Sequence, residues 1–175
     1  THKTSSAASD VYKRQASHQS MFETFFLQTL FNSPVFILKK ELLFIPIFGW
    51  YLKKIGSISI KRGQITKDNL SFYDEISSVV TNSDRPLIIF PQGTRVLPNE
   101  RPPFKKGASR IYEKLKIACQ PVAINSGYVW PKSGRKISNR TITISIMQRI
   151  NNDLEKDIFL KSLEDKIYSE LNLLN

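Results

Sequence analysis

Cysteine is almost missing from the 175 residues, and the single Cys119 excludes an internal disulfide framework and a cysteine-rich zinc module. Histidine is nearly as scarce. With only His2 and His18, a multi-histidine metal site has too few ligands. No apolar run reaches the ~20 residues of a membrane-spanning helix. The longest, residues 42–52 (LLFIPIFGWYL), is short and interrupted by Pro46 and Gly49. There is no G-x-S-x-G elbow and no G-x-x-x-x-G-K-[ST] loop, which argues against a serine hydrolase and a P-loop enzyme. No secretory signal opens the chain. The first methionine is Met21, so the expectation is a fragment with room for a membrane segment upstream.

Acidic residues are also few, 15 against 26 lysines and arginines, for a formal charge of +11. The excess is concentrated. Residues 35–67 carry seven cations against one acid, and residues 101–150 carry eleven against Glu113 alone. Two basic blocks suit an anionic partner such as nucleic acid, anionic lipid or a phosphate-bearing substrate; a solvated basic face is the plainer alternative. Apolar residues at 41% and aromatics at 11% give enough material for a packed core.

Residues 1–15, THKTSSAASDVYKRQ, are polar and aperiodic, and read as a loose tail or as sequence foreign to a domain spanning 16–175. Beyond them helix and strand signals alternate. Helices are expected at 21–31, 41–54 (bent or broken by Pro46 and Gly49), 68–80 with Asp68 as cap, 108–115 and 154–174. Strands are expected at 35–38, 57–61, 86–90, 121–124 and 141–146. Loops fall at 96–103 and 126–139. Strands separated by helices define an α/β class: one layered domain with a mostly parallel central sheet flanked by helices.

Four short segments could carry chemistry. In His18-Gln19-Ser20-Met21-Phe22-Glu23 a histidine and a carboxylate stand five apart where a loop enters a helix. A carboxylate on one ring nitrogen fixes the tautomer and raises the basicity of the other nitrogen, which can then take a proton from a hydroxyl. The same residues also read as a capping box of Ser20 and Glu23 with His18 beside it on the surface. Phe90-Pro91-Gln92-Gly93-Thr94-Arg95 follows an apolar strand, where open α/β sheets place ligands. Gly93 permits close backbone approach, and Thr94 and Arg95 offer a hydroxyl and a guanidinium fork to a phosphate; an ordinary turn is the alternative. Gly56 to Arg62 ends an alternating strand on Lys61 and Arg62, and Gln120 to Gly127 is a strand leading into a polar turn. Cys119 reads as a small buried hydrophobe.

Taken in order, His-x4-acid, G-x-I-x-I-K-R, F-P-x-G-T-R and P-V-A-x-N-S-G resemble the glycerolipid acyltransferases, bacterial 1-acyl-glycerol-3-phosphate acyltransferases above all. The resemblance runs from about Ala16 to about Ile150. Lys39-Lys40-Glu41-Leu42 and Ile45-Pro46-x-x-Gly49-Trp50 are similar to the family's connecting segment. The sequence departs from the family at Glu23, where Asp is usual, and at Gln92, where Glu is usual.

The resemblance implies acyl transfer from a thioester, acyl-CoA or acyl-carrier protein, to the sn-2 hydroxyl of lysophosphatidic acid. No cofactor and no nucleic-acid partner are implied. His18 would be the general base, Glu23 its orienting partner, and Lys61, Arg62 and Arg95 the phosphate ligands, with Gly93 and Thr94 shaping the loop. A different acceptor, glycerol-3-phosphate or another lysolipid, a non-enzymatic basic protein that binds membranes or nucleic acid, and an inactive membrane-binding relative disabled by Gln92 or by truncation are the alternatives. The expected location is an anionic membrane surface, the cytoplasmic face of the inner membrane, with residues 42–52 dipping into one leaflet between Lys39, Lys40, Lys53 and Lys54; a buried core helix with the lysines in water is the alternative for this stretch.

Overall fold

A computed structural model describes residues 13–60, 68–83, 85–132 and 134–174, and residues 68–71 by their backbone alone. Six strands form one sheet: β1 (Lys13–Ala16), β2 (Val35–Lys39), β3 (Ile58–Ile60), β4 (Leu87–Ile89), β5 (Cys119–Ile124) and β6 (Ile144–Ile146), ordered β3-β2-β4-β1-β5-β6. The first five run parallel and β6 pairs antiparallel with β5. The helices are α1 (Phe22–Leu30), α2 (Phe48–Lys54), α3 (Asp68–Asn82), α4 (Lys106–Leu115) and α5 (Lys156–Leu173).

The run Leu87-Ile88-Ile89 is apolar throughout because both faces of the sheet are covered. Leu87 and Ile89 meet Ile76 and Val80 of α3, whereas Ile88 meets Leu27 of α1 and Phe36 on the other side. Helix α5 buries Phe159, Leu163, Ile167 and Leu171, one residue per turn, against Tyr112, Cys119 and Ala123. Cys119 is fully buried, and burial pushes its thiol up to about 12.

Between β2 and α2 the chain breaks where Pro46 and Gly49 stand. A 3-10 turn over Lys40–Phe44 ends there and Ile47 takes a positive φ of 64°. Gly49 is obligatory: a Cβ at this position would lie 2.1 Å from the Leu43 carbonyl oxygen.

One expectation fails. Lys13, Arg14 and Gln15 do not belong to a loose tail; they form β1, hydrogen-bonded between β4 and β5 in the middle of the sheet. Parallel pairing on both sides, not the composition of the strand, fixes them there. The Lys13 Nζ lies 3.4 Å from the carbonyls of Ile111 and Tyr112, and the Arg14 guanidinium lies 4.0 Å from the centre of the Phe31 ring. Residues 1–12 lie outside the described residues, as do Lys61 and Arg62. So does the side chain of Asp68, where α3 begins.

Candidate active site

Parallel strands deliver their C-terminal ends to one edge of a sheet, and loops there converge. On this edge Lys39 ends β2, His18 follows β1, Phe90 to Arg95 follow β4, and Ser126 follows β5. These four strands are neighbours, so segments more than a hundred residues apart in sequence share one site.

His18 and Glu23 meet. Nδ1 of the half-buried imidazole lies 2.8 Å from Oε2 of the fully buried carboxylate. Glu23 also accepts the amide protons of Gln19 at 3.0 Å and of Ser20 at 2.9 Å on Oε1, and the Ser126 hydroxyl on the same oxygen. The Ser20 Oγ in turn accepts from the Phe22 amide at 3.2 Å. The carboxylate makes one contact from each sequence reading, although the helix cap is Met21 and the imidazole is not on the surface. Glu23 reaches back to the Ser20 amide as in a capping box, and its second oxygen holds the imidazole.

The imidazole is fixed by its backbone and its face as well. Its ring stacks on Phe90 at 4.1 Å and 20°. The His18 amide donates to Gln92 Oε1 at 2.7 Å, and its carbonyl accepts from Val96 at 2.9 Å. Gln92 is thus a hydrogen-bonding support of the His18 turn, using an amide oxygen that a carboxylate would match. Its buried Nε2 makes no hydrogen bond of good geometry, although the Tyr168 hydroxyl, which donates to the Pro102 carbonyl, lies nearby. Gly93 closes the turn with its amide 2.9 Å from the Phe90 carbonyl and a φ of 71°.

His18 lines a cavity of about 820 Å³, within the ~300–1,000 Å³ typical of small-molecule sites. Its walls are mostly apolar, with Phe36, Leu38, Leu42, Phe48, Leu52 and Phe72 prominent. Gly93, Thr94 and Arg95 line it, as expected from sequence, and so do three further cations, Lys39, Lys105 and Arg110. No lining residue is acidic. None of the four cationic side chains makes an ion pair or hydrogen bond among the described residues. Sequence reasoning assigned Lys39 to lipid contact and passed over Lys105, Arg110 and Ser126. The unopposed charge of residues 101–150 was the available signal for the first two.

An oriented imidazole on the wall of an apolar, cation-bearing cavity suits base catalysis on a hydroxyl of an amphiphile. Residues 15–125 match the family model Acyltransferase, and the chain belongs to that family. It is 34% identical over 119 residues to the 1-acyl-sn-glycerol-3-phosphate acyltransferase of Pseudomonas aeruginosa, covering 68% of this chain and 46% of that one. The enzyme of the same name from Helicobacter pylori is 29% identical over 157 residues, covering 88% and 65%. The chain thus spans about half to two thirds of the length of these curated relatives. The crystal structure of the 1-acyl-sn-glycerophosphate acyltransferase PlsC from Thermotoga maritima has the same fold. It superposes with a TM-score of 0.78 at 21% identity, covering 98% of this chain and 70% of that one.

Proposed function

We propose that this chain moves a fatty acyl group from an acyl thioester to the sn-2 hydroxyl of 1-acyl-glycerol-3-phosphate, giving phosphatidic acid and a free thiol. The observation that carries the reading is the 2.8 Å contact between Glu23 and Nδ1 of His18, whose residue lines the cavity. With Nδ1 engaged, Nε2 is the nitrogen left to take the hydroxyl proton as the oxygen attacks the thioester carbonyl. The tetrahedral intermediate then expels the thiolate, which recovers the proton from the imidazolium. Glu23 stabilises that imidazolium. A positioned base of this kind contributes ~10²–10⁴-fold.

The acceptor's phosphate needs cations without acidic neighbours. Arg95, Lys39, Lys105 and Arg110 satisfy that condition; Lys61 and Arg62 keep the role that the resemblance implies for them. The apolar walls accommodate an acyl chain. The donor, acyl-CoA or acyl-carrier protein, is a substrate, and no cofactor enters these steps.

The same reading places the protein on an anionic membrane surface, on the cytoplasmic face of the inner membrane. No helix among the described residues is long and apolar enough to cross a membrane. Residues 42–52 nevertheless present Phe44 and Ile47 at 76% and 84% exposure beside Trp50, with Lys53 and Lys54 following. Apolar tips ringed by lysines suit a lipid interface.

The test is incubation with lysophosphatidic acid and acyl-CoA or acyl-carrier protein, followed by detection of phosphatidic acid. Product with glycerol-3-phosphate or a neutral lysolipid in its place would reassign the acceptor. No product with any acceptor would mark an inactive relative.

A further inference from the structure

We propose that Ser126 is a positioning residue of the reaction, its buried hydroxyl fixing the Glu23 carboxylate that orients His18. The inference rests on the His18–Glu23 reading and extends it to a segment more than a hundred residues away. The Ser126 hydroxyl is fully buried and makes a short hydrogen bond to Glu23 Oε1. An ionised carboxylate has no proton to give, so the serine donates. Among the described residues the other donors to Glu23 are the Gln19 and Ser20 amides and the imidazole itself, all within its own turn. They move with that turn. Ser126 alone refers the carboxylate to a separate part of the sheet.

The reference point is stiff. Ser17, next to His18, donates its amide to the Val122 carbonyl at 3.0 Å, and its Oγ accepts from the Ile124 amide at 2.8 Å, so β5 and the catalytic turn are tied together. The Gly127 amide donates to Gln19 Oε1 at 3.0 Å. A Cβ on Gly127 would fall 2.9 Å from Gln19 and from Pro98, so the turn after β5 lies flush against the His18 loop. A glutamate has one more rotatable bond than the aspartate usual at this position in the family. An outside anchor removes that extra freedom before the reaction begins.

Steady-state kinetics of Ser126→Ala, Ser126→Thr, Glu23→Gln and the double variant Ser126→Ala/Glu23→Gln test this. Ser126→Ala is expected to lower kcat about 10-fold, the low end for outer residues that orient an active-site group, with KM for lysophosphatidic acid within about twofold. Ser126→Thr keeps the hydroxyl and is expected to restore most of the loss. In the Glu23→Gln background, Ser126→Ala is expected to cost less than about twofold more, because two residues acting through one contact are not additive. An unchanged kcat in Ser126→Ala, or a full second 10-fold loss in the double variant, overturns the role. If threonine is too large for the site, as loss of native circular dichroism would reveal, the double-variant comparison decides. His18→Ala, measured alongside, tests the underlying reading separately. Full activity there overturns the base itself, whereas an inactive His18→Ala with undiminished Ser126→Ala overturns only the serine's part.

Discussion

Glu23 has no idle oxygen: two amides, one hydroxyl and one imidazole share its two atoms. Every partner is a donor, so an amide in its place would turn an N–H2 toward an N–H or O–H. Glu23→Gln is therefore expected to favour the wrong imidazole tautomer and to lower kcat by about 100-fold or more, with KM nearly unchanged. A rise in KM at constant kcat would refute that role. His18→Ala should remove at least as much turnover without unfolding the protein, since the ring lines the cavity and belongs to no core cluster. Gln92 makes the opposite case. It supports the His18 turn through an amide oxygen facing the His18 amide, and a carboxylate supplies the same acceptor. Gln92→Glu is expected to hold kcat within about threefold of the parent. A gain of 100-fold would show that Gln92 disables the chain.

Among the elements, β1 is the one built against its own composition. It lies between β4 and β5, yet Lys13 and Gln15 are buried there, and neither atom of the Gln15 amide finds a hydrogen bond. Burial lowers the Lys13 pKa from 10.5 to about 8. The unfolded chain thus binds more protons than the native state between those two values. The penalty is complete below pH 8 and is relieved as pH rises through the window. A shift of this size corresponds to about 3 kcal/mol. Cys119 acts in the opposite sense. Its folded-state value, raised from 9.0 to about 12, means that stability is lost above pH 9, so the gain from Lys13 is cleanest between pH 8 and 9. Lys13→Met is expected to stabilise the protein by about 3 kcal/mol at pH 7 in urea unfolding, with the advantage over the parent shrinking as pH climbs toward 10. Gln15→Leu should add about 1–3 kcal/mol by removing the unpaired amide. Stability unchanged by either substitution would mean that β1 is not buried as described.

This strand also marks where sequence reasoning stops. Helix α5 is legible because its apolar residues repeat with the helical period, and strand β4 because it is a continuous apolar run too short for a helix. β1 has no such pattern, and only its pairing with two neighbours identifies it. The site divides the same way. His18 and Glu23 are five residues apart and legible as a pair, while Ser126, Lys39, Lys105 and Arg110 join them only through strand order. Gly93, Thr94 and Arg95 lie where their motif placed them, at the end of β4 on the cavity wall.

For the molecule as a whole, the edge that carries the site also carries its most unfavourable surface. Ile47 is 84% exposed and held at a φ of 64°, a conformation that a β-branched residue adopts only with strain. In water that arrangement gains nothing, because the side chain buries no surface. At a lipid interface it gains the burial of an apolar tip, worth up to ~1.5–3 kcal/mol, and each neighbouring lysine near an anionic headgroup adds about 1 kcal/mol. Strain of this kind costs ~1–3 kcal/mol and collects where function requires it. Leu42, Phe48 and Leu52 of the same segment line the cavity, so an inserted tip would bring this wall of the cavity toward the acyl chains of the bilayer. Ile47→Gly separates the two effects, since glycine accepts a positive φ freely and has no side chain to insert. It is expected to stabilise the protein in solution by about 1 kcal/mol while weakening co-sedimentation with anionic vesicles several-fold. Binding by the parent should also fall as salt rises from 0.01 to 0.15 M and the Debye length shrinks from ~30 to ~8 Å. Equal vesicle binding by parent and variant would take Ile47 out of the membrane contact. No binding by the parent at low salt would remove the membrane surface from the properties of this chain.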